Sequence, residues 1–154
     1  MSFRRALLPL IAVFAAAFAV PAKSASPEGL WLVEDQTGRI RIEKCGNDMW
    51  GFLAWQKLPK TDVNNPNPAV RNRSLLGIPL LIAMKPSGQD RWEGNVYNPR
   101  DGKTYSSKMG MLPSGQLEIK GCVMGILCGG ENWTRLAQDP PGTAPKNNCA
   151  GVPH

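Results

Sequence analysis

The stretch WEGNVYNPRDGKTYSSKM, from Trp92 to Met109, decides the fold, because it specifies both arms and the turn of a β-hairpin. Apolar or small residues alternate with polar ones along each arm, at Trp92, Gly94 and Val96 in the first and at Tyr105, Ser107 and Met109 in the second. This period of two is typical of a strand with one buried face. Between the arms, the fixed φ of proline and the positive φ open to glycine suit a tight reversal at Asn98, Pro99, Asp101 and Gly102.

The chain on either side of this hairpin repeats the same pattern of short strands and turns. Strands are predicted at Trp31–Glu34, Arg39–Lys44, Trp50–Lys57, Ile78–Met84, Arg91–Tyr97, Lys103–Met111, Gln116–Val123 and Asn132–Leu136. The segments DQTG, CGND, KPSGQD, NPRDG, LPSG and LCGGE are the predicted separators. Eight consecutive antiparallel strands favour an all-β, up-and-down meander, which hides its edges by closing into a single barrel. We expect this barrel to occupy residues 26–138.

Alternation also predicts which side chains face the barrel interior. They are Phe52, Ala54, Leu80, Ile82, Trp92, Val96, Tyr105, Met109, Leu117 and Ile119. An eight-stranded barrel holds either side chains alone or one small ligand. Small residues at Gly94, Gly110 and Gly121 would leave room inside, whereas the five tryptophans of the chain would fill it. The sequence leaves both outcomes open.

Two short motifs at the ends of the meander support closure. Gly29 and Trp31 form a GxW at the start of the first strand, and Trp133 and Arg135 share one face of the last. In a closed barrel these strands are neighbours, so Arg135 would lie over the Trp31 ring in a cation–π contact of roughly 1 kcal/mol. Two tryptophans buried in a β-sandwich are the alternative interpretation.

These motifs resemble known families. The hairpin matches the pattern W.G.vY.P..GktYs.k of the bacterial family called domain of unknown function 2147, and the pattern D..NP....R.R.LLG covers residues 62–77. The GxW and the final arginine are similar to those of the lipocalin and calycin superfamily. Relatives often read CG..LCG where this chain reads CGNDMWG, so Trp50 replaces a cysteine. The resemblance spans nearly the whole mature chain and implies an exported calycin-like barrel with no assigned activity.

The first 25 residues are predicted to be a cleaved Sec signal peptide. Arg4 and Arg5 precede an apolar run from Ala6 to Val20, and small residues follow. As a helix this run would span about 22 Å, less than the roughly 30 Å of a bilayer core, so no transmembrane span is expected after cleavage. Cleavage after Ala22, Ser24 or Ala25 fits the sequence. We therefore predict a periplasmic or secreted protein.

Removing the signal peptide halves the apparent basicity. The number of Lys and Arg falls from 18 to 15 against 12 Asp and Glu, and the net charge falls from +6 to +3. The remaining positive charges are scattered rather than gathered in a block with interleaved aromatic residues. This composition argues against nucleic acid as a partner.

Four cysteines remain in the mature chain, and an even number in an oxidising compartment favours disulfides. Three connectivities exist for Cys45, Cys122, Cys128 and Cys149. A pair between Cys122 and Cys128 is preferred because the segment VMGIL between them would fold back as a short loop. Cys45 would then tether Cys149 in the Pro-rich C-terminal tail, residues 139–154. A zinc site is disfavoured because the thiol spacing is not CxxC.

The connection from Leu58 to Leu76, LPKTDVNNPNPAVRNRSLL, is too rich in Pro and Asn for a strand and too long for a hairpin loop. Loops of this length tend to be lids or binding edges. Its polar groups make Asp62, Asn65, Arg71 and Arg73 candidate ligand-binding residues. The hairpin adds Trp92, Tyr97, Tyr105 and Lys108. Asx turns within the loop would give its polar residues a purely structural role, and that interpretation is preferred for the loop.

No catalytic constellation is present in the sequence. The only histidine is the last residue, His154, so Ser and Cys lack a base to activate them. We expect no enzymatic activity, no cofactor and no metal. The preferred hypothesis is an exported protein that binds a small apolar or amphipathic ligand in the barrel or at its mouth. The alternative is a non-enzymatic structural or protein-interaction module of the cell envelope. Oligomeric state is left open.

Overall fold

The computed structural model describes residues 25–124, 127–144, 146 and 149–153. Its strands are β1 Gly29–Leu32, β2 Gly38–Cys45, β3 Asp48–Gln56, β4 Pro79–Gly88, β5 Arg91–Asn98, β6 Lys103–Met111, β7 Leu117–Val123 and β8 Leu127–Leu136. Short 3₁₀ helices lie at Pro68–Val70 and Cys149–Gly151. Each strand pairs antiparallel with the next, and β8 pairs with β1, so the predicted eight-stranded up-and-down barrel is confirmed. Apart from Ala25, the predicted signal peptide lies outside the described residues.

The hairpin that decides the fold forms as predicted. Strands β5 and β6 pair without interruption from Arg91 opposite Gly110 to Asn98 opposite Lys103. In the turn, the backbone carbonyl of Asn98 accepts hydrogen bonds from the N–H groups of Asp101 and Gly102. Gly102 has a φ of +70°, which a residue with a Cβ adopts only at a cost.

The barrel closes where Arg135 of β8 pairs with Trp31 of β1. The Arg135 guanidinium lies 4.2 Å from the centroid of the Trp31 ring, so the predicted cation–π contact is confirmed. The same guanidinium donates hydrogen bonds to the backbone carbonyls of Glu28 and Ser26, each at 2.6 Å. Trp31 is fully buried, and its indole N–H donates to the carbonyl of Pro27 at 2.9 Å. These contacts seal one end of the barrel, which we call the closed end.

The main core lies inside the barrel. Its fully buried members include Leu81, Met84, Met109 and Leu117, with Trp92, Ile119 and Trp133 packed against them. Burial of each such side chain contributes about 2 kcal/mol. Of the residues predicted to face inward, Trp92, Met109, Leu117 and Ile119 belong to this core.

The C-terminal tail covers the outer face of β2 and β3. Arg41 is buried there, and its guanidinium donates to Asp139 at 3.0 Å and to the carbonyl of Ala144 at 3.0 Å. The Ala144 N–H in turn donates to the carbonyl of Ala54 at 2.7 Å. A second apolar cluster forms under the tail from Cys45, Trp50, Phe52 and Val152.

This cover overturns the prediction that Phe52 faces inward. Its neighbour Leu53 belongs to the main core, whereas Phe52 packs against Val152 on the outer face. Strand β3 is buried on both faces, so its sequence is apolar without a break and alternation does not identify the inner face.

Both predicted disulfides, Cys45–Cys149 and Cys122–Cys128, are present. Two predicted separators lie mostly or wholly inside strands, because the first four residues of KPSGQD extend β4 to Gly88 and LCGGE lies wholly inside β8. The pairing of Gly129 and Gly130 with β7 extends the last hairpin up to the Cys122–Cys128 disulfide, so β8 begins five residues before its predicted start.

Candidate functional site

A cavity of about 1010 Å³ opens at the end of the barrel opposite the Trp31–Arg135 contact. The β1–β2, β5–β6 and β7–β8 turns and the 58–76 loop surround it, since every second connection of an up-and-down barrel lies at the same end. We call it the mouth cavity. Its deep wall is apolar and includes Ile40, Leu53, Leu75, Leu80 and Trp133.

The rim of the mouth cavity exposes large apolar side chains. Leu58 and Val63 of the 58–76 loop are 67% and 61% exposed, and Val123 at the end of β7 is 47% exposed. All three line the cavity, and the exposed Met124 follows Val123 in the chain. Exposed apolar residues gathered around one opening are a common feature of binding surfaces.

One carboxylate, Glu131, lines the cavity from the barrel interior. Glu131 lies opposite the buried Ile119, on the same face of β8 as Trp133 and Arg135. Its Oε1 accepts a hydrogen bond from the Trp133 indole N–H. Among the described residues, no further hydrogen bond or ion pair of this carboxylate is found.

A second polar group, the Ser107 hydroxyl, sits on the interior wall. Ser107 is 2% exposed, and its hydroxyl has no hydrogen-bond partner among the described residues. The register places Ser107 opposite Gly94 and Gly121, between Tyr105, which lines the cavity, and the core residue Met109. Most buried hydroxyls are hydrogen-bonded, so this one is an exception that calls for an explanation.

The mouth also carries positive charge. Lys57, Lys60 and Arg100 line the opening, and Arg100 forms an ion pair of 3.2 Å with Asp35. Hydrogen bonds from the hydroxyl and the backbone N–H of Thr37, assisted by Arg100, lower the pKa of Asp35. The two lysines have no ion pair with the described carboxylates, so the rim is positive while the interior holds Glu131.

The 58–76 loop is fastened by a buried network around Asp62. Asp62 is 0% exposed and accepts hydrogen bonds from Tyr97 at 2.5 Å, from Asn65 at 2.8 Å and from Arg73 at 2.8 and 3.0 Å. Burial alone would raise the pKa of Asp62, but these hydrogen bonds outweigh it and hold that pKa below its usual value. Burial and the bond to Asp62 raise the pKa of Tyr97.

The same loop rests on the turn of the β5–β6 hairpin. The Asn64 side-chain amide donates to the carbonyls of Pro99 and Arg100 at 3.2 and 2.9 Å. A Cβ on Gly102 would lie 1.8 Å from the Asn64 carbonyl oxygen, so the loop docks closely only because position 102 is glycine. The long loop is thereby held over one side of the opening.

The predicted site residues do not form a single site in the structure. Asp62, Asn65, Arg73 and Tyr97 form one network, and Arg71 joins it by donating to the carbonyl of Asn65 at 2.8 Å. Of the whole predicted set only Tyr97 and Tyr105 line the mouth cavity.

The other three residues of the hairpin set have separate surroundings. The Tyr105 hydroxyl donates to Asp101 at 2.5 Å, which raises the pKa of Tyr105 and lowers that of Asp101. Trp92 is buried in the main core, and Lys108 is exposed beside Glu93 at 3.6 Å. Ligand binding by these residues stays a prediction.

Sequence reasoning missed Glu131. Glu131, Trp133 and Arg135 are two residues apart and share one face of β8, so a predicted strand that began one residue earlier would have placed the carboxylate inside the barrel. Reading LCGGE as a turn concealed this position.

A family model described as "Uncharacterized protein conserved in bacteria (DUF2147)" matches residues 29–135. The chain belongs to the DUF2147 family. In this DUF2147 protein the matched segment runs from the first residue of β1 to the arginine that covers Trp31. The resemblance inferred from the sequence motifs is thus confirmed.

A solved structure shares the fold. Protein HP1028 from the human pathogen Helicobacter pylori, described as belonging to the lipocalin family, superposes with a TM-score of 0.67 and 24% sequence identity. The similarity covers 73% of this chain and 84% of the other. At this level of identity it shows a lipocalin-like fold and nothing further. No curated protein matches the chain.

In the part of the chain that the structure describes, no helix is long and apolar enough to cross a membrane. Likewise, within those residues no three His, Cys, Asp or Glu side chains converge as metal ligands would. The expected lack of metal and cofactor stays a prediction.

Proposed function

We propose that this DUF2147 protein is exported and binds a small amphipathic molecule in the mouth cavity. The proposal rests on two apolar surfaces of the same cavity. The deep wall includes Ile40, Leu53 and Leu80. The exposed rim is formed by Leu58, Val63 and Val123. A volume of about 1010 Å³ suits a ligand of modest size. The two disulfides support export, because such bonds persist in oxidising compartments.

The fixed position of the 58–76 loop also favours ligand binding, because it keeps the mouth cavity open. Because Asp62, Asn64 and Gly102 hold the loop against the barrel, the opening is formed before a ligand arrives. A preformed cavity loses less entropy on binding than one that must be ordered by its ligand.

Decanol is a suitable neutral probe, and the fluorescence of Trp133, which lines the cavity, reports its entry. We expect saturable binding by the wild-type chain. The Val96→Phe substitution places a larger side chain in the cavity wall and should weaken decanol binding at least tenfold. The matched control is Asn95→Phe, one residue away on the exposed outer face, which should leave affinity unchanged.

Failure of the wild-type chain to bind decanol, decanoate or decylammonium would overturn the proposal. Equal affinity of the Val96→Phe and Asn95→Phe variants would also count against it, because binding would then lie outside the cavity. Circular dichroism of both variants checks that each remains folded.

A further inference from the structure

We propose that the mouth cavity selects ligands with a positively charged inner end, and that Glu131 is the residue that binds this cation. The inference rests on the proposed function and adds the chemical class of the ligand. The class is an amphiphile with an ammonium group that enters first and an apolar part that follows.

The position of Glu131 carries the argument. It lies on the interior face of β8, opposite Ile119 and one layer toward the mouth from Trp133. Ile119 and Trp133 are both about 5% exposed, so the carboxylate stands at the edge of the main core. An ionised carboxylate in apolar surroundings is costly unless it is paired.

The pairing that the described residues supply is incomplete. One oxygen, Oε1, accepts the Trp133 indole N–H, and no described cation lies within ion-pair distance. The two rim lysines, Lys57 and Lys60, form no ion pair with it. A ligand ammonium would supply the missing positive charge and could donate to the second oxygen. The Trp133 ring beside it offers a face that also attracts a cation.

The interior wall next to Glu131 has room for such a group. Gly129 lies one layer closer to the mouth on β8, and a Cβ there would meet no atom within 4 Å. Gly121 pairs with Gly129 and with Ser107, whose buried hydroxyl lacks a partner among the described residues. A hydroxyl oxygen accepts a hydrogen bond from an N–H donor. The Glu131 carboxylate therefore borders open space beside glycine, and the buried Ser107 lies beyond Gly121 on β6.

A ligand bound with an anionic group at the rim and its apolar chain inside the cavity is less favourable. A ligand with a carboxylate at Lys57 and Lys60 would lay its apolar chain over Glu131, which would then lose water without gaining a countercharge. A cationic inner end avoids this cost, and the positive rim then faces the neutral or anionic outer end of the ligand.

The test compares decylammonium, decanol and decanoate at about pH 7, where an alkylamine is protonated. Affinities are measured by tryptophan fluorescence for the wild type and for Glu131→Gln, which keeps the shape but removes the charge. The matched control is Glu93→Gln, whose carboxylate lies outside the barrel in an exposed pair with Lys108.

We expect the wild type and the Glu93→Gln variant to bind decylammonium at least about tenfold more tightly than decanol, as a charge-assisted hydrogen bond provides. In Glu131→Gln this preference should disappear while decanol binding persists. Equal affinity of the wild type for decylammonium and decanol would overturn the inference and leave the proposed function standing. Tightest binding of decanoate would also overturn it, whereas failure to bind any of the three probes would remove the proposed function itself.

Discussion

The Tyr97 hydroxyl donates a 2.5 Å hydrogen bond to the buried carboxylate of Asp62, 35 residues earlier in the chain. This bond joins the 58–76 loop to strand β5. Because Arg73 and Asn65 bind the other oxygen of the same carboxylate, Asp62 is the centre on which the loop is built. These hydrogen bonds hold the 58–76 loop against the barrel.

Removal of the Asp62 carboxylate should therefore destabilise the fold. We expect Asp62→Ala to lower the free energy of unfolding by about 3 kcal/mol, since buried donors on Tyr97 and Asn65 are left unpaired. Tyr97→Phe removes the hydrogen bond donated to Asp62 and the one accepted from Asn65, and should cost about 1–2 kcal/mol. Urea unfolding measures both changes.

The matched control is Tyr105→Phe. Tyr105 also donates at 2.5 Å to an aspartate, Asp101, but that carboxylate is exposed. A surface change of this kind should stay within about 0.5 kcal/mol. Similar losses for Tyr97→Phe and Tyr105→Phe would show that burial of the Asp62 network does not strengthen it.

Acid should weaken the protein through the same carboxylate. The folded pKa of Asp62 lies below its unfolded value, so its contribution to stability is present above the unfolded pKa and is lost as pH falls through the folded pKa. We expect the wild type to lose more unfolding free energy than Asp62→Asn between neutral pH and pH values below about 4. Urea titrations across this range measure the difference, and parallel curves for the two proteins would contradict the assignment.

Position 102 requires glycine for two reasons, its positive φ and the close approach of the Asn64 carbonyl. A matched pair of variants separates them. Gly102 and Gly115 both have a positive φ, +70° and +83°. A Cβ at Gly115 would meet nothing within 4 Å, whereas at Gly102 it would collide with the Asn64 carbonyl. Gly115→Ala should thus cost only the backbone strain, about 1–2 kcal/mol.

The collision adds to this strain at position 102. We expect Gly102→Ala to lower the unfolding free energy by clearly more than Gly115→Ala does. Gly102→Ala should also make the 58–76 loop, and no other segment, more sensitive to proteolysis. Equal losses in the two variants would mean that the loop shifts away without cost and that its docking contributes little stability.

Much of the barrel was predictable because its signals are local. The Trp92–Met109 hairpin needs only alternation and turn residues that act within a few positions of each other. The contact between Trp31 and Arg135 was also predictable, because closure of a meander places the first and last strands side by side.

The features that eluded prediction depend on distant parts of the chain. Phe52 faces outward because the tail, about 100 residues later, buries the outer face of β3 and removes the alternation signal. The interior position of Glu131 was missed for a related reason. Its glycine-rich neighbours are typical of a turn, and they belong to a strand because they pair with β7. Polar loop residues such as Asp62 are ambiguous in sequence, because a ligand-binding set and a self-fastening network use the same side chains.

The two disulfides should differ in their contribution to stability. Cys45–Cys149 closes a loop with a sequence separation of 104 and fastens the tail over Phe52, whereas Cys122–Cys128 spans only 6 positions. Because the entropy removed from the unfolded chain grows with loop length, the first should contribute about 4–5 kcal/mol and the second roughly 2 kcal/mol. Serine replacement of each pair, followed by thermal and urea unfolding, measures both. A larger loss from the Cys122 and Cys128 replacements would contradict this, and would mean that the Arg41–Asp139 ion pair and the packing of Val152 hold the tail without a covalent bond.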